Sequence, residues 1–251
     1  MAARIDLYLL GSGTILSRGE QACSSILIRN TNTTILVDCG IGSFMRMKKL
    51  GIEPTEIDFI FITHYHPDHI SDLVPFLFYL ANPPVPLTKT LHLWGPPGLV
   101  QLMRTFHTIY GEWLESTAYL IHELSVSPIV TNSFILEWKK VLHSKQAVGY
   151  RFNFQGKIIS FSGDSGYCPA LIDLCAGADL AILECSFPDE QEKTGHLTPG
   201  LVAKIADQAQ VKQLIITHLY PENQPQTALA IIQKLYSGSV TVGNDLAHFI
   251  F

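Results

Sequence analysis

Thr63-His64-Tyr65-His66-Pro67-Asp68-His69 places three imidazoles and a carboxylate within six positions, directly after the apolar run Ile57–Thr63. Neutral imidazole and carboxylate are preferred partners of zinc and related divalent ions, and packed together without a cation they would mostly conflict. The run before them is short and nearly continuously apolar, the pattern of a strand buried on both faces. In extended backbone, side chains at i and i+2 point the same way, so His64 and His66 can hold one ion as a pair. Pro67 stops the ladder. Asp68 and His69 stand at the start of a helix expected over Ile70–Ala81, where successive side chains diverge enough to face a second ion. The competing reading is a solvated, histidine-rich loop end; four ligand-type residues at this spacing favour a metal.

Outward from this stretch, Ile5–Leu10, Ser24–Arg29 and Thr34–Asp38 read as strands bounded by Gly, Ser or Asn turn chemistry, and Ile41–Leu50 as a helix. The second half repeats the theme. Phe134–Val141, Ala147–Phe154 and Lys157–Ser162 are expected strands, with a hairpin turn at Phe154-Gln155-Gly156-Lys157. Helices over Pro169–Ala176, Pro199–Ala209 and Gln226–Tyr236 alternate with strands over Leu180–Glu184, Gln213–His218, Ser239–Val242 and Ala247–Phe251. Two β-rich halves, each ending in αβ units, predict an α/β fold of two sheets face to face with helices outside, a four-layer αββα sandwich. No low-complexity linker interrupts residues 1–251, which read as one domain.

Composition agrees: 47% hydrophobic against 16% charged residues is enough to build a large core. A net charge of −5 gives no footprint for nucleic acid, and the short basic turn Arg46-Met47-Lys48-Lys49 reads as a solvated helix face. The five cysteines form no C-x-x-C pair, which argues against a disulfide framework and a thiolate zinc site. No apolar run approaches a membrane span, and the start of the chain lacks a signal-peptide layout; a cytoplasmic protein without membrane attachment is expected.

A metal site needs more ligands than the first cluster holds. His143, Asp164 and His218 each sit just past an expected strand end, where sandwich folds gather functional groups. Ile216-Thr217-His218 also repeats Ile62-Thr63-His64. Taken singly, each histidine could be a satisfied structural residue, and Asp164 an ordinary turn aspartate.

The order His64-x-His66-x-Asp68-His69, His143, Asp164, His218 resembles the metallo-β-lactamase superfamily, and within it the branch that includes ribonuclease Z. The likeness extends to Gly11-Ser12-Gly13-Thr14, Leu36-Val37-Asp38-Cys39-Gly40, Phe161-Ser162-Gly163-Asp164-Ser165, Leu183-Glu184-Cys185 and Gly195-His196-Leu197-Thr198. The resemblance implies that His64, His66 and His143 hold one zinc, Asp68, His69 and His218 the other, and that Asp164 bridges them. Manganese or iron would suit the same all-N/O donors. It implies Asp68, His196 and Glu184 as the catalytic set, His196 being a general acid oriented by Glu184. It also implies that Asp38 buttresses the site. Asp38 could equally cap the Gly40–Phe44 turn, and His196 could belong to a helix start at Thr198-Pro199.

Two neighbouring cations would bring the pKa of bound water towards about 7, so hydroxide could attack a phosphodiester at neutral pH. Ribonuclease Z carries a long arm between the third-ligand His and the bridging Asp that grips transfer RNA. Here 21 positions separate His143 from Asp164, room for two strands and a turn. A small phosphodiester therefore suits this chain better than nucleic acid, with transfer-RNA 3′ processing the alternative. An arylsulfatase-like or lactonase-like member would keep the same seven ligands; a non-catalytic scaffold would usually have lost some. Family members often form homodimers.

The 74 positions from His69 to His143 should encode substrate choice. Phe76, Phe78, Tyr79, Trp94, Phe106, Tyr110 and Trp113 lie there as core or pocket wall. Asn82-Pro83-Pro84-Val85-Pro86 and Gly95-Pro96-Pro97-Gly98 are expected rigid rim loops, and His92, His107, His122 and His248 are expected to be structural.

Overall fold

A computed structural model describes residues 4–17, 19, 21–82, 89–114 and 117–251; residues 1–3 and the 83–86 part of the proline-rich loop lie outside them. The strands are β1 (Asp6–Gly11), β2 (Ser25–Arg29), β3 (Thr34–Val37), β4 (Phe59–Phe61), β5 (Leu91–Gly95), β6 (Tyr119–Glu123) and β7 (Ile129–Val130). They continue as β8 (Ile135–Lys140), β9 (Val148–Phe154), β10 (Lys157–Phe161), β11 (Leu180–Glu184), β12 (Gln213–Thr217), β13 (Ser239–Val242) and β14 (His248–Ile250). The helices are α1 (Ser43–Lys49), α2 (Pro67–Ile70), α3 (Leu73–Ala81), α4 (Leu99–Tyr110), α5 (Pro169–Cys175), α6 (Pro199–Gln208) and α7 (Pro225–Leu235). One sheet runs β14-β1-β2-β3-β4-β5-β6 and the other β13-β12-β11-β10-β9-β8-β7.

Side-chain alternation builds the layers. On β1, Leu7 and Leu9 join a core shared with Tyr150, Phe152 and Phe161 of the opposite sheet, whereas Leu10 faces α3 and α4 through Leu73, Phe76 and Met103. On the far side, Ala181, Leu183 and Ile216 pack under Leu171, Val202 and Ile232 of α5, α6 and α7. Three cores separate four layers, helix, sheet, sheet and helix, as the sequence pattern predicts. Within each sheet antiparallel strands come first and parallel βαβ units follow, β3-β4-β5-β6 in one and β10-β11-β12-β13 in the other.

Phe61 joins the two sheets. Fully buried on β4, it meets Phe134, Tyr150 and Phe152 at ring distances of 6.0, 5.8 and 5.5 Å. Phe61→Ala should cost about 3–5 kcal/mol through lost transfer energy and the residual cavity, read as a lower denaturation midpoint at unchanged denaturant slope.

The expected helix over Ile70–Ala81 is two helices, α2 and α3, separated at Ser71 and Asp72. Between Asn82 and Ser133, where the pattern assigns no element, the chain builds β5, α4, β6 and β7. Arg46 is not merely solvated, since its Nε lies 2.8 Å from Asp245, and Met47 is buried.

Candidate metal centre

The candidate residues collect at the carboxyl ends of parallel strands, where α/β sheets leave a crevice. His64 follows β4, Asp164 follows β10, Glu184 ends β11 and His218 follows β12. Pro67 begins α2, turning the chain so that Asp68 and His69 leave the strand direction. Gly163 lies in the left-handed region at φ 56°, and a Cβ there would come within 2.8 Å of Thr63 Cβ. The missing side chain lets the end of β10 close onto the first ligand strand.

Two ligand groups result, each with donor atoms within 4.8 Å of one another: His64, His66, His143 and Asp164, and beside it Asp68, His69 and His218. The fold thus brings His64 and His66 into one group and Asp68 and His69 into the other. Asp164 lies between them. One carboxylate oxygen is 3.2 Å from His69 Nε2 and 3.5 Å from His218 Nε2; the other is 3.7 Å from His143 Nε2 and 3.8 Å from His64 Nε2. Donors around a tetrahedral zinc with bonds near 2.0–2.1 Å stand about 3.3 Å apart. Among the described residues, the buried Nε2 atoms of His64, His69 and His218 have no hydrogen-bond partner. Buried polar atoms are normally satisfied, so three orphaned nitrogens converging on carboxylates fit a cation.

Each inward nitrogen is set by a bond at the other end of its ring. His69 Nδ1–H donates to Asp38 Oδ2 at 2.7 Å, and His143 Nδ1–H to the Gly195 carbonyl at 2.9 Å. His64 Nδ1 meets Thr63 Oγ1 at 3.1 Å, and His218 Nδ1 meets Ser186 Oγ at 3.2 Å. His66 is the exception, turning Nδ1 towards His143 Nε2 at 3.1 Å. His66 is exposed and His143 half-buried, which marks the open side.

Burial alone would raise the Asp164 carboxyl, but His218, His69 and His64 hold it well below its ordinary value. Burial would lower His69, while Asp164 and Asp38 raise it well above. His64, buried and facing His69, is pushed down to about 2. The cluster thus keeps Asp164 anionic and His64 neutral, the protonation states in which each can ligate a cation.

Asp38 does not cap the Gly40–Phe44 turn; Asp72 accepts the Phe44 N–H at 3.0 Å instead. Asp38 accepts from the Thr63 N–H at 2.7 Å, the Thr63 hydroxyl at 2.9 Å and His69. Asp38→Ala leaves three buried donors unmet, at about 1–3 kcal/mol each before relaxation. The expected results are a loss of about 3–5 kcal/mol in stability by denaturant titration and a 10–100-fold weaker metal affinity by competition with a chelator.

His196 likewise makes no cap to α6, whose N-terminal residue Thr198 makes no side-chain cap bond either. Its Nδ1–H donates to Glu184 Oε1 at 2.9 Å, and it joins Asp164 and His218 in a third group of converging donors. Glu184 is fixed by the N–H groups of Ser165, Ser186 and Leu197. Burial would lower His196, and the Glu184 bond outweighs it and raises it.

Sequence reasoning missed Ser186, Tyr220 and Asp245. Ser186 and Tyr220 each lie two positions beyond a site residue, Glu184 and His218, a weak signal. His218 adopts φ 58°, and its N–H donates to the Ser12 carbonyl at 2.7 Å. Asp245 accepts from the Ser12 N–H at 2.9 Å and hydroxyl at 2.8 Å, and from the Ala22 N–H at 2.6 Å. The loop after β1 thereby carries a bond from Asp245 to His218. Of the aromatic residues between His69 and His143, Phe76 is core, whereas Phe78 and Trp113 are exposed. The Tyr65 hydroxyl donates to the Pro96 carbonyl, tying the Gly95–Gly98 turn to the ligand motif.

A family model described as the beta-lactamase superfamily domain matches residues 33–219. A protein named ribonuclease Z from Myxococcus xanthus is 26% identical over 300 aligned positions, covering 96% of each chain. The crystal structure of the metallo-beta-lactamase fold protein YhfI from Bacillus subtilis superposes with a TM-score of 0.89 at 21% identity, over 99% of this chain and 100% of that one. That of human tRNase Z, short form, gives 0.80 at 23%, over 97% and 98%.

Proposed function

Since the chain belongs to the beta-lactamase superfamily domain family, we propose that it is a metal-dependent hydrolase whose substrate is a small phosphodiester. The observation that carries this reading is His196, fixed by Glu184 and placed beside the two ligand groups. A proton donor is needed where an alkoxide departs.

His64, His66 and His143 would hold one divalent cation, Asp68, His69 and His218 a second, with Asp164 shared; the N/O donor set suits zinc, and also manganese or iron. When bound, such cations polarise a phosphoryl oxygen and acidify water. The chain supplies the rest. Burial would raise the Asp68 carboxyl, and the His218 and His69 imidazoles hold it at about 2, so it stays an ionised acceptor able to orient the attacking water. Glu184 fixes the His196 tautomer with Nε2 free to deliver a proton to the leaving oxygen. The half-buried His143 and exposed His66 form the open side by which substrate enters.

Relatives named ribonuclease Z favour transfer-RNA 3′ processing as the second reading. Against it, β9, β10 and a tight turn fill the interval from His143 to Asp164, and the net charge is −5. The 300-position alignment also exceeds this chain's 251 residues, so that relative carries segments this chain lacks. The proposed placement is cytoplasmic, and among the described residues no helix is long and apolar enough to cross a membrane.

The test is turnover of bis(p-nitrophenyl) phosphate, an aryl sulfate, a lactone and a 3′-extended transfer RNA by the zinc and manganese forms, with His64→Ala as blank. Diester hydrolysis is expected; a metal-loaded protein inert towards the diester would defeat the reading. Chelation should abolish turnover and lower Tm by about 10 °C, since a ligand at ~1,000 times its Kd stabilises by about 4 kcal/mol and each kcal/mol moves Tm by about 2–4 °C at this size. Scanning calorimetry with and without chelator measures it.

A further inference from the structure

A cleft of about 600 Å³ borders the centre without entering the chemistry above. Two of its lining residues also touch the ligand groups. The Tyr220 ring stands edge-on to His218 and His196, at 5.8 and 6.2 Å between centroids, and Ser12 receives the His218 N–H on its carbonyl. The opposite wall comes from α7 and β13 and the turn after it.

The lining is uncharged throughout, in contrast to the neighbouring centre. Gln226, Thr241 and Asn244 offer amides and a hydroxyl, and Leu229 supplies an apolar wall. A phosphate or carboxylate moved there would lose water without meeting a counter-charge. A side-chain amide presents one acceptor and two donors, and so pairs with a ring edge that carries both kinds of group. A volume of 300–1,000 Å³ is that of sites for small molecules.

We propose that this cleft is the subsite for the uncharged, hydrogen-bonding portion of the substrate, a nucleobase edge or a sugar, attached to the diester hydrolysed at the neighbouring centre. It rests on the diester reading for the bond cleaved, and on the cleft alone for the group bound. Tyr220 forms the boundary between the two, lining the cleft while its ring edge meets the His218 and His196 imidazoles.

Ligand-observed NMR on metal-loaded protein with adenosine, uridine and methyl glucoside separates the sources. Saturable binding of at least one is expected, abolished by Gln226→Trp, which fills the cleft from an exposed helical position, and weakened by Gln226→Ala. No saturable binding of any of the three, or binding that survives Gln226→Trp, overturns the proposal. In turnover, Gln226→Trp should lower kcat/KM for thymidine 5′-p-nitrophenyl phosphate tenfold or more relative to bis(p-nitrophenyl) phosphate, through KM. Equal changes on both substrates overturn it as well. Neutral-ligand binding in a protein that hydrolyses neither diester would instead sink the phosphodiesterase reading while leaving the cleft as a binding site.

Discussion

Asp164→Ala should cut diester turnover on the order of 10³-fold, because it removes the one side chain whose two oxygens face both ligand groups. Oδ1 lies towards His69 and His218, and Oδ2 towards His143 and His64. Its loss leaves four imidazoles converging with no shared anion, which weakens the hold on either cation. Charge stabilisation by metal ions is worth several kcal/mol, and each 1.36 kcal/mol is tenfold in rate. Elemental analysis after desalting should fall from the two ions per chain of the proposed centre to one or fewer, with far-UV circular dichroism unchanged. Two retained ions, or a loss of turnover under tenfold, would show that Asp164 does not join the two groups.

The second expectation concerns His196 and depends on the leaving group. His196→Ala should lose about 10²–10⁴-fold on a diester with an alkoxide leaving group, the range for positioned general acids. On bis(p-nitrophenyl) phosphate, whose nitrophenolate departs without a proton, the loss should stay below tenfold. Glu184→Gln retains an acceptor for the His196 N–H but not its charge, and should fall between wild type and His196→Ala on the alkoxide substrate. Equal losses on the two leaving groups would reduce His196 to a structural partner of Glu184.

Much of this candidate centre was legible because its residues are local or punctuated. His64, His66, Asp68 and His69 need only a strand, a proline and a helical turn to face two ways. His143, Asp164 and His218 are polar residues stranded at the ends of apolar runs. The supporting contacts were less legible, since Ser186 and Asp245 act through long-range closure that carries no sequence period. Asp38 was ambiguous until the tertiary structure placed Asp72 on the competing turn. The interval from Asn82 to Ser133 went unread for physical reasons. β5 alternates buried Leu91 and Leu93 with His92 and Trp94, which blurs its apolar face, and α4 starts just after Gly98 and two prolines, with no side-chain cap. Only Leu99 and Met103 of that helix are buried, so its apolar face is too narrow to stand out.

The bond from Asp245 to Ser12, which in turn accepts the His218 N–H, spans 233 positions. A chain emerging from the ribosome amino end first presents His64 to Asp164 before Asp245, and the loop after β1 that accepts the His218 N–H is held by Asp245. Contacts of such separation form late because the loop entropy must be met first. On the two-cation reading, the group of Asp68, His69 and His218 should therefore take its final shape after the group of His64, His66, His143 and Asp164, and uptake of a second ion should report completion of folding.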